Sequence, residues 1–572
     1  MALTSDTAAE EPAELQRLGV AESLAGSLDP VGLIGSLGHA LAKRTRHPVA
    51  LGGLLATHAA SLTRATAATA ARTFGIDVSG PAAPSPKDRR FAEATWQDNP
   101  AFYGLLQTYL LNRQLLVDLV EGAALDRIVL AKARFAANLI ADALAPTNFL
   151  PTNPAALRRA AETGGRSVLR GMRNMVDDVV TNGGWPKQVD TAPFILGTNM
   201  AATPGQVVFR NDLIELIQYQ PATEQVGEIP LLVCPPWINR YYILDLAPGR
   251  SLVEWAVAHG ITTFAISYRN PDASMRDFGL DDYLLKGPRT AIDVVRDITG
   301  SETVNNLSVC LGGTLNTALL AYLDATGDRG LVNSSTSLNC LVDHAGAGTL
   351  SDIFTDEATL AGLERKMAKL GFLEATDMAH TFDLLRANDL IFSYVASGWL
   401  CGEQPTAFDM LAWNHDSTRM PATMHAFYLR QCWIDNSLAE DRMELCGERL
   451  IVSGIDVDSY IVAAVDDHIV PWHSSYRTTQ LIKGQCRFVL SSSGHIAGIV
   501  NPPNPKSSLW TNEELPPDPD DWWADASQHS ETWWNDWMGW ILPRSGDLRK
   551  PPAMGSADHS VLEPAPGAYV RS

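Results

Sequence analysis

Cys310 lies where an apolar run, residues 306–310, meets Leu311, Gly312 and Gly313, after which helical spacing begins at once. A nucleophile on a sharp strand-to-helix turn is lifted above a sheet, and small neighbours let strand and helix close up. The backbone N–H of Leu311 then points where a substrate oxyanion forms, and the helix start favours negative charge beside the sulfur. Compared with the G-x-S-x-G pattern, Cys310 replaces the serine and Ser308 the first glycine. A cysteine alone in such a run is also an ordinary core residue, so other groups must decide.

Two later stretches supply them. VDDHIVPW, residues 465–472, sets Asp466, Asp467 and His468 at the end of an extended run, and SSSGHIAGIVNPP, residues 491–503, sets His495 on a glycine-flanked loop after the next run. Nucleophile, acid and histidine therefore follow the chain order of an α/β-hydrolase triad, each just beyond a strand. Spacing does not separate Asp466 from Asp467. His468 adjoins the acid, whereas a triad base arrives on its own loop, so His495 is the base candidate and His468 a supporting group. CPPWINRYYILDL, residues 234–246, follows the strand where such folds put a second oxyanion donor, which nominates the N–H groups of Trp237 and Ile238. Cys234, inside an apolar run, reads as core.

These groups need a sheet to hold them. Short apolar runs at residues 230–234, 262–268, 306–310 and 337–342 alternate with helical patterns, which predicts crossover units and a mostly parallel sheet. A hairpin of extended segments, residues 207–209 and 213–219, precedes them. The alternation stops for residues 346–445, a helical insertion that reads as a cap, and resumes at 460–465 and 487–491. Ahead of the sheet, residues 1–90 read as an extension ending in a proline-rich linker, 79–90, and residues 91–194 as a helical domain. The sheet domain is expected in two parts, 195–345 and 446–545, with a tail at 546–572.

Composition narrows the partners. There are 44 basic and 65 acidic residues, a net charge of −21, and such a surface repels a phosphate backbone, which argues against nucleic acid. Seven cysteines without a CxxC pair fit a reducing cytoplasm, and no apolar run is long enough for a transmembrane segment. The acidic start of the chain does not read as a secretory signal. The histidines show no metal-binding spacing and no phosphate loop is present, so no metal or redox cofactor is expected.

Together PPWINRYYILDL, SYRNPDASM, SVCLGGTL, LRANDLIF, FDMLAWNHDST, DDHIVPW, SGHIAGIVNPP, WWNDWMGW and EPAPGAYV resemble the polyhydroxyalkanoate synthases, from about Phe91 onward. The family pattern departs at Ser308, where glycine is usual. The resemblance implies an α/β-hydrolase fold with an inserted helical cap, and polymerisation of 3-hydroxyacyl-CoA with release of CoA. It implies Cys310 as nucleophile, His495 as base and Asp467, not Asp466, as the acid. It also implies a homodimer in the cytoplasm at the surface of polyester storage granules, of the class that acts alone on short-chain substrates. Arg240, just past the oxyanion loop, is the candidate for the CoA phosphates. The tryptophans of residues 510–540 could touch the granule, though such a cluster more commonly forms core.

A cysteine suits this chemistry, because its attack exchanges one thioester for another and the acyl group stays activated. Asp467 has two possible roles, orienting His495 or activating the incoming 3-hydroxyl. The high pKa of a hydroxyl favours the second. The alternatives are a thioesterase or polyester depolymerase with the same triad, and a granule-coat scaffold with a relict site.

Overall fold

The computed structural model describes residues 32–354 and 356–572, so residues 1–31, with the acidic opening of the chain, lie outside the described residues. Two compact units divide it, one running to Pro146 and including Asp356–Arg365, the other taking the remainder. The division falls at Pro146 rather than at the expected 194. Helices Pro154–Glu162 and Arg166–Thr181 belong to the second unit, where the latter packs on Val395–Leu400. Gly171 sits there because a Cβ would lie 1.9 Å from the Trp399 carbonyl oxygen.

The first unit is built on helices Leu33–Arg44, Pro48–Thr73, Pro100–Glu121 and Arg127–Ala143. Asn99 starts the third by accepting from the amides of Ala101 and Phe102 ahead of Pro100, and Asp126 starts the fourth through Val129. Residues 79–88 are irregular, but they are no free spacer. Buried Gln107 exchanges two hydrogen bonds with Ala82, and Tyr103 Oη accepts from the Gly80 amide.

The second unit holds an eleven-stranded sheet among its described residues. We number its strands β1 (Gly205–Arg210), β2 (Ile214–Tyr219), β3 (Leu231–Cys234), β4 (Thr263–Tyr268), β5 (Val304–Val309) and β6 (Val332–Leu338). The rest are β7 (Asp458–Ala464), β8 (Cys486–Ser491), β9 (Leu509–Thr511), β10 (Ser527–His529) and β11 (Glu563–Pro564). Their order is β10-β9-β8-β7-β6-β5-β3-β4-β2-β1-β11. The six from β8 to β4 are parallel and the flanking strands antiparallel. Buried on both faces, the parallel strands are mostly the apolar runs that the sequence predicts. This is the α/β-hydrolase architecture of a mostly parallel sheet interrupted, between β6 and β7, by a mainly helical segment.

One strand is misplaced by the sequence reading. The expected run 337–342 is largely loop, and β6 lies upstream at VNSSTSL. The polar side chains of Ser334, Ser335 and Thr336 are buried but satisfied. Ser334 Oγ donates to Asn305 Oδ1, Ser335 Oγ accepts from Asn316 Nδ2, and Thr336 Oγ1 accepts from Trp537 Nε1. Hydrogen bonds to a neighbouring strand and to helices packed on the sheet replace the apolar signal, so a search for hydrophobic runs passes over it.

Of the tryptophans of residues 510–540, Trp523 is exposed and Trp510 and Trp540 are half-buried, but the rest are core. In helix Trp533–Ile541 the side chains of Trp533, Trp534 and Trp537 are at most 1% exposed. Burying each ring removes roughly 150–250 Å² from water, about 4–6 kcal/mol by area as an upper figure.

Candidate active site

Cys310 follows β5 and precedes helix Leu311–Thr326, with φ 50° and ψ −121°. A non-glycine residue in that region costs about 1–3 kcal/mol and persists only where its surroundings over-determine it. Here the Cys310 amide donates to Leu338 O at 3.0 Å, and Cys310 O accepts from Gly313 at 2.9 Å. Gly312 and Gly313 allow the close fit. A Cβ on Gly312 would stand 2.3 Å from Cys234 O, and one on Gly313 2.0 Å from Cys340 Sγ. Ser308, fully buried, turns its hydroxyl to Thr336 O at 3.1 Å, so the loss of the usual glycine leaves the elbow intact.

His495 opens the short helix His495–Ile499 beyond β8, after Ser493 at φ 81°. Its Nδ1 lies 2.6 Å from Asp467 Oδ2, and both side chains are buried. Asp467 Oδ1 accepts from the amides of Ile469 and Val470, each at 2.9 Å. Burial alone would lower the His495 pKa, but the Asp467 carboxylate outweighs it, and with Cys310 adding to the effect the imidazole is raised to about 10. Nδ1 being taken, Nε2 is the nitrogen left to serve the thiol.

Asp466 is not part of this contact; its amide donates to Ser493 O. Asp467 turns Oδ2 to His495 and Oδ1 to its own loop, and its side chain is fully covered. These contacts favour the orienting role over direct activation of the incoming hydroxyl. His468 has a buried Nδ1 without a hydrogen-bond partner among the described residues, and burial, then the charge of Arg386, pushes its pKa down to about 4. Cys234 is buried and its thiol is pushed up to about 12 by that burial; Cys340, also buried, is raised too, first by burial and then by the nearby Cys310. Cys310 is partly exposed.

The loop after β3 crosses the start of helix Leu311–Thr326, as the contact of Gly312 with Cys234 and Pro235 shows. The candidate donors Leu311, Trp237 and Ile238 are thereby carried by adjoining segments. Thr418 braces that loop, donating to Trp237 O at 2.7 Å and accepting from the Asn239 amide at 2.8 Å. Trp413 Nε1 donates to Arg240 O at 2.7 Å. Both lie in or beside FDMLAWNHDST, so a sequence signal existed, although spacing alone gave them no role.

Asn339 left no such trace, whereas Trp533 and Trp534 lie in WWNDWMGW. Asn339 Nδ2 donates to His495 O at 2.5 Å. Trp533 and Trp534 donate their indole N–H groups to Gly498 O and Ile499 O, at 2.8 and 3.0 Å. The buried tryptophans thus hold the turn that bears His495. Tyr428, buried in the inserted segment, lies near enough to Cys310 for their charges to interact.

Arg240 does not fit the expected phosphate contact. It is 6% exposed, and its guanidinium donates to Asp416 Oδ1, Tyr569 O and Ser572 O at 3.2, 3.1 and 2.5 Å. A buried guanidinium engaged on three sides has no face to give a solvent-borne phosphate.

Over most of its length the chain is similar to known proteins. A family model described as poly-beta-hydroxybutyrate polymerase (PhaC) N-terminus matches residues 87–256. The poly(3-hydroxyalkanoate) polymerase of Methylorubrum extorquens is 42% identical over 493 residues, covering 85% of this chain and 81% of the relative. A poly(3-hydroxyalkanoate) polymerase subunit of Cupriavidus necator is 42% identical over 495 residues, covering 85% and 83%. The meta-cleavage product hydrolase of Pseudomonas fluorescens IP01 aligns with 52% of this chain and 91% of its own at 13% identity and a TM-score of 0.28, too distant to bear on the site. Identity of this level over most of both chains makes this protein a member of the poly(3-hydroxyalkanoate) polymerase family.

Proposed function

We propose that the polymerisation of hydroxyacyl-CoA into polyhydroxyalkanoate, the activity of this family, runs here through an acyl thioester on Cys310. The observation that supports it best is the 2.6 Å contact of His495 with Asp467, beside a cysteine held at positive φ on a strand-to-helix turn.

In this reading the Cys310 proton rests on His495 Nε2, in keeping with the raised imidazole, and the sulfur attacks the substrate thioester carbonyl as thiolate. The oxyanion is met by the N–H of Leu311 and by that of Trp237 or Ile238. The new C–S bond forms as the bond to CoA breaks, and CoA leaves with the proton from His495. The 3-hydroxyl of another unit then gives its proton to His495, its oxygen attacks the acyl thioester, and an ester bond forms as the Cys310 C–S bond breaks. The inserted segment, buried Tyr428 included, limits water and so hydrolysis.

Granule association, a homodimer and a short-chain preference belong to the same reading and rest on family membership. No described helix is long and apolar enough to cross a membrane. The deciding experiment is incubation with 3-hydroxybutyryl-CoA. Polymer with CoA release and a mass increment on Cys310 is expected, whereas free 3-hydroxy acid would make the chain a thioesterase.

A further inference from the structure

The segment matching EPAPGAYV has no part in the chemistry above, yet it is bound with unusual completeness. Strand β11 pairs with β1, and the turn after it docks on Glu215, whose side chain is wholly buried. Glu215 accepts from the amides of Tyr569 and Ala568 at 2.9 and 3.3 Å, and from Arg210 Nε at 2.7 Å. Gly567, at φ 83°, permits this, since a Cβ would lie 2.4 Å from Glu215 Oε2. Tyr569 Oη donates to Asn211 O at 2.5 Å.

The carbonyls that this docking fixes, those of Tyr569 and Ser572, are the ones that Arg240 holds. Arg240 in turn directly follows Asn239, which lies at φ 62° at the end of the loop bearing Trp237 and Ile238. Its own carbonyl is held by Trp413. Without residues 569–572, two arms of a buried guanidinium would lose their acceptors, a state that costs more than the bonds themselves contribute. The loop would move to rehydrate it.

We infer that residues 569–572 are a positioning element for the reaction, setting the oxyanion loop through Arg240. The inference rests on the reading of Trp237 and Ile238 as oxyanion donors. A donor displaced by about 1 Å costs roughly 10²-fold in rate, while the remote parts of the substrate are bound as before.

The test uses full-length protein carrying Arg240→Gln, Arg240→Lys alongside it, and a chain ending at Ala568. Initial rates of CoA release from 3-hydroxybutyryl-CoA are measured with the rate of Cys310 alkylation by iodoacetamide. Expected for Arg240→Gln is a fall in kcat of roughly 10- to 100-fold with KM within about twofold and an unchanged alkylation rate. Arg240→Lys should recover part of kcat. Combining truncation with Arg240→Gln should cost no more than the larger single effect, because both act through one contact. A tenfold rise in KM at unchanged kcat would return Arg240 to substrate binding and overturn the inference, as would an unchanged kcat. Parallel losses in kcat, alkylation and thermal midpoint would reduce the tail to a structural brace and overturn it equally. Should alkylation of Cys310 leave wild-type turnover untouched, the thioester reading fails instead, and the two failures are told apart. If the truncated chain does not fold, the Arg240 pair still decides.

Discussion

Asp467 grips His495 with one oxygen while the other is tied to its own loop: Oδ2 meets Nδ1 at 2.6 Å, and Oδ1 takes the amides of Ile469 and Val470. The carboxylate is therefore a fixed part of the backbone turn, and the imidazole inherits its orientation from β7 as well as from β8. That arrangement sets what each substitution at the site should do.

Cys310→Ala is expected to abolish CoA release and polymer formation while leaving the thermal midpoint within a few degrees of wild type. Alanine keeps the elbow backbone and removes only the sulfur. Cys310→Ser should retain at most a trace of turnover, because an oxygen ester is a poorer acyl donor than a thioester. CoA release assayed with differential scanning fluorimetry checks both; near-normal turnover by the alanine variant rules out Cys310 as nucleophile.

His495→Gln should lower the rate of the first acylation by roughly 10²–10⁴, the range for loss of a general base. His468→Gln should cost clearly less, since its buried ring is neutral near pH 7 and no bond to it from Asp467 or His495 is present. Stopped-flow release of the first CoA compares them. The reverse order of losses would exchange the two assignments.

Asp467→Asn should abolish any burst of CoA. An amide at this position presents an N–H to Nδ1 and stabilises the wrong imidazole tautomer, which in comparable triads costs on the order of 10⁴ in kcat. Every step that uses His495 should slow together. Rapid-quench detection of one rapid CoA per site followed by a stall would instead mean that Asp467 serves only the incoming hydroxyl.

A pH signature follows from the raised imidazole. The folded state holds the His495 proton up to about 10, against an ordinary 6.5. The stabilisation is then fully present below about pH 6.5 and is lost as pH rises through about 10. His495→Gln should thus lower the thermal midpoint at about pH 6, with the gap closing by about pH 10.5. A gap that widens with pH would show that the imidazole is not held protonated by Asp467.

Much of this site was legible because its parts sit beside sharp transitions in pattern. Cys310, Asp467 and His495 each end an apolar run, and strands β3, β4, β5, β7 and β8 announced themselves by composition. Strand β6 did not, because Ser334, Ser335 and Thr336 are satisfied by Asn305, Asn316 and Trp537 on the neighbouring strand and helices. Arg240 misled for a related reason. A cation near an oxyanion loop looks like a phosphate ligand until its acceptors are known, and two of those are carbonyls more than three hundred residues away. Asn339, Trp533 and Trp534 act on backbone carbonyls, a contact that no spacing rule encodes.

The order in which a ribosome delivers these pieces gives the docking of β11 a further meaning. Arg210 and its partner Glu563 are 353 positions apart, and Arg240 precedes Ser572 by 332. At about 5–20 residues per second, Arg240 waits roughly 20–70 s for its acceptors. A nascent chain already long enough to contain Cys310, Asp467 and His495 would still lack its tuned loop, so full activity would come only once residues 569–572 have been made and docked.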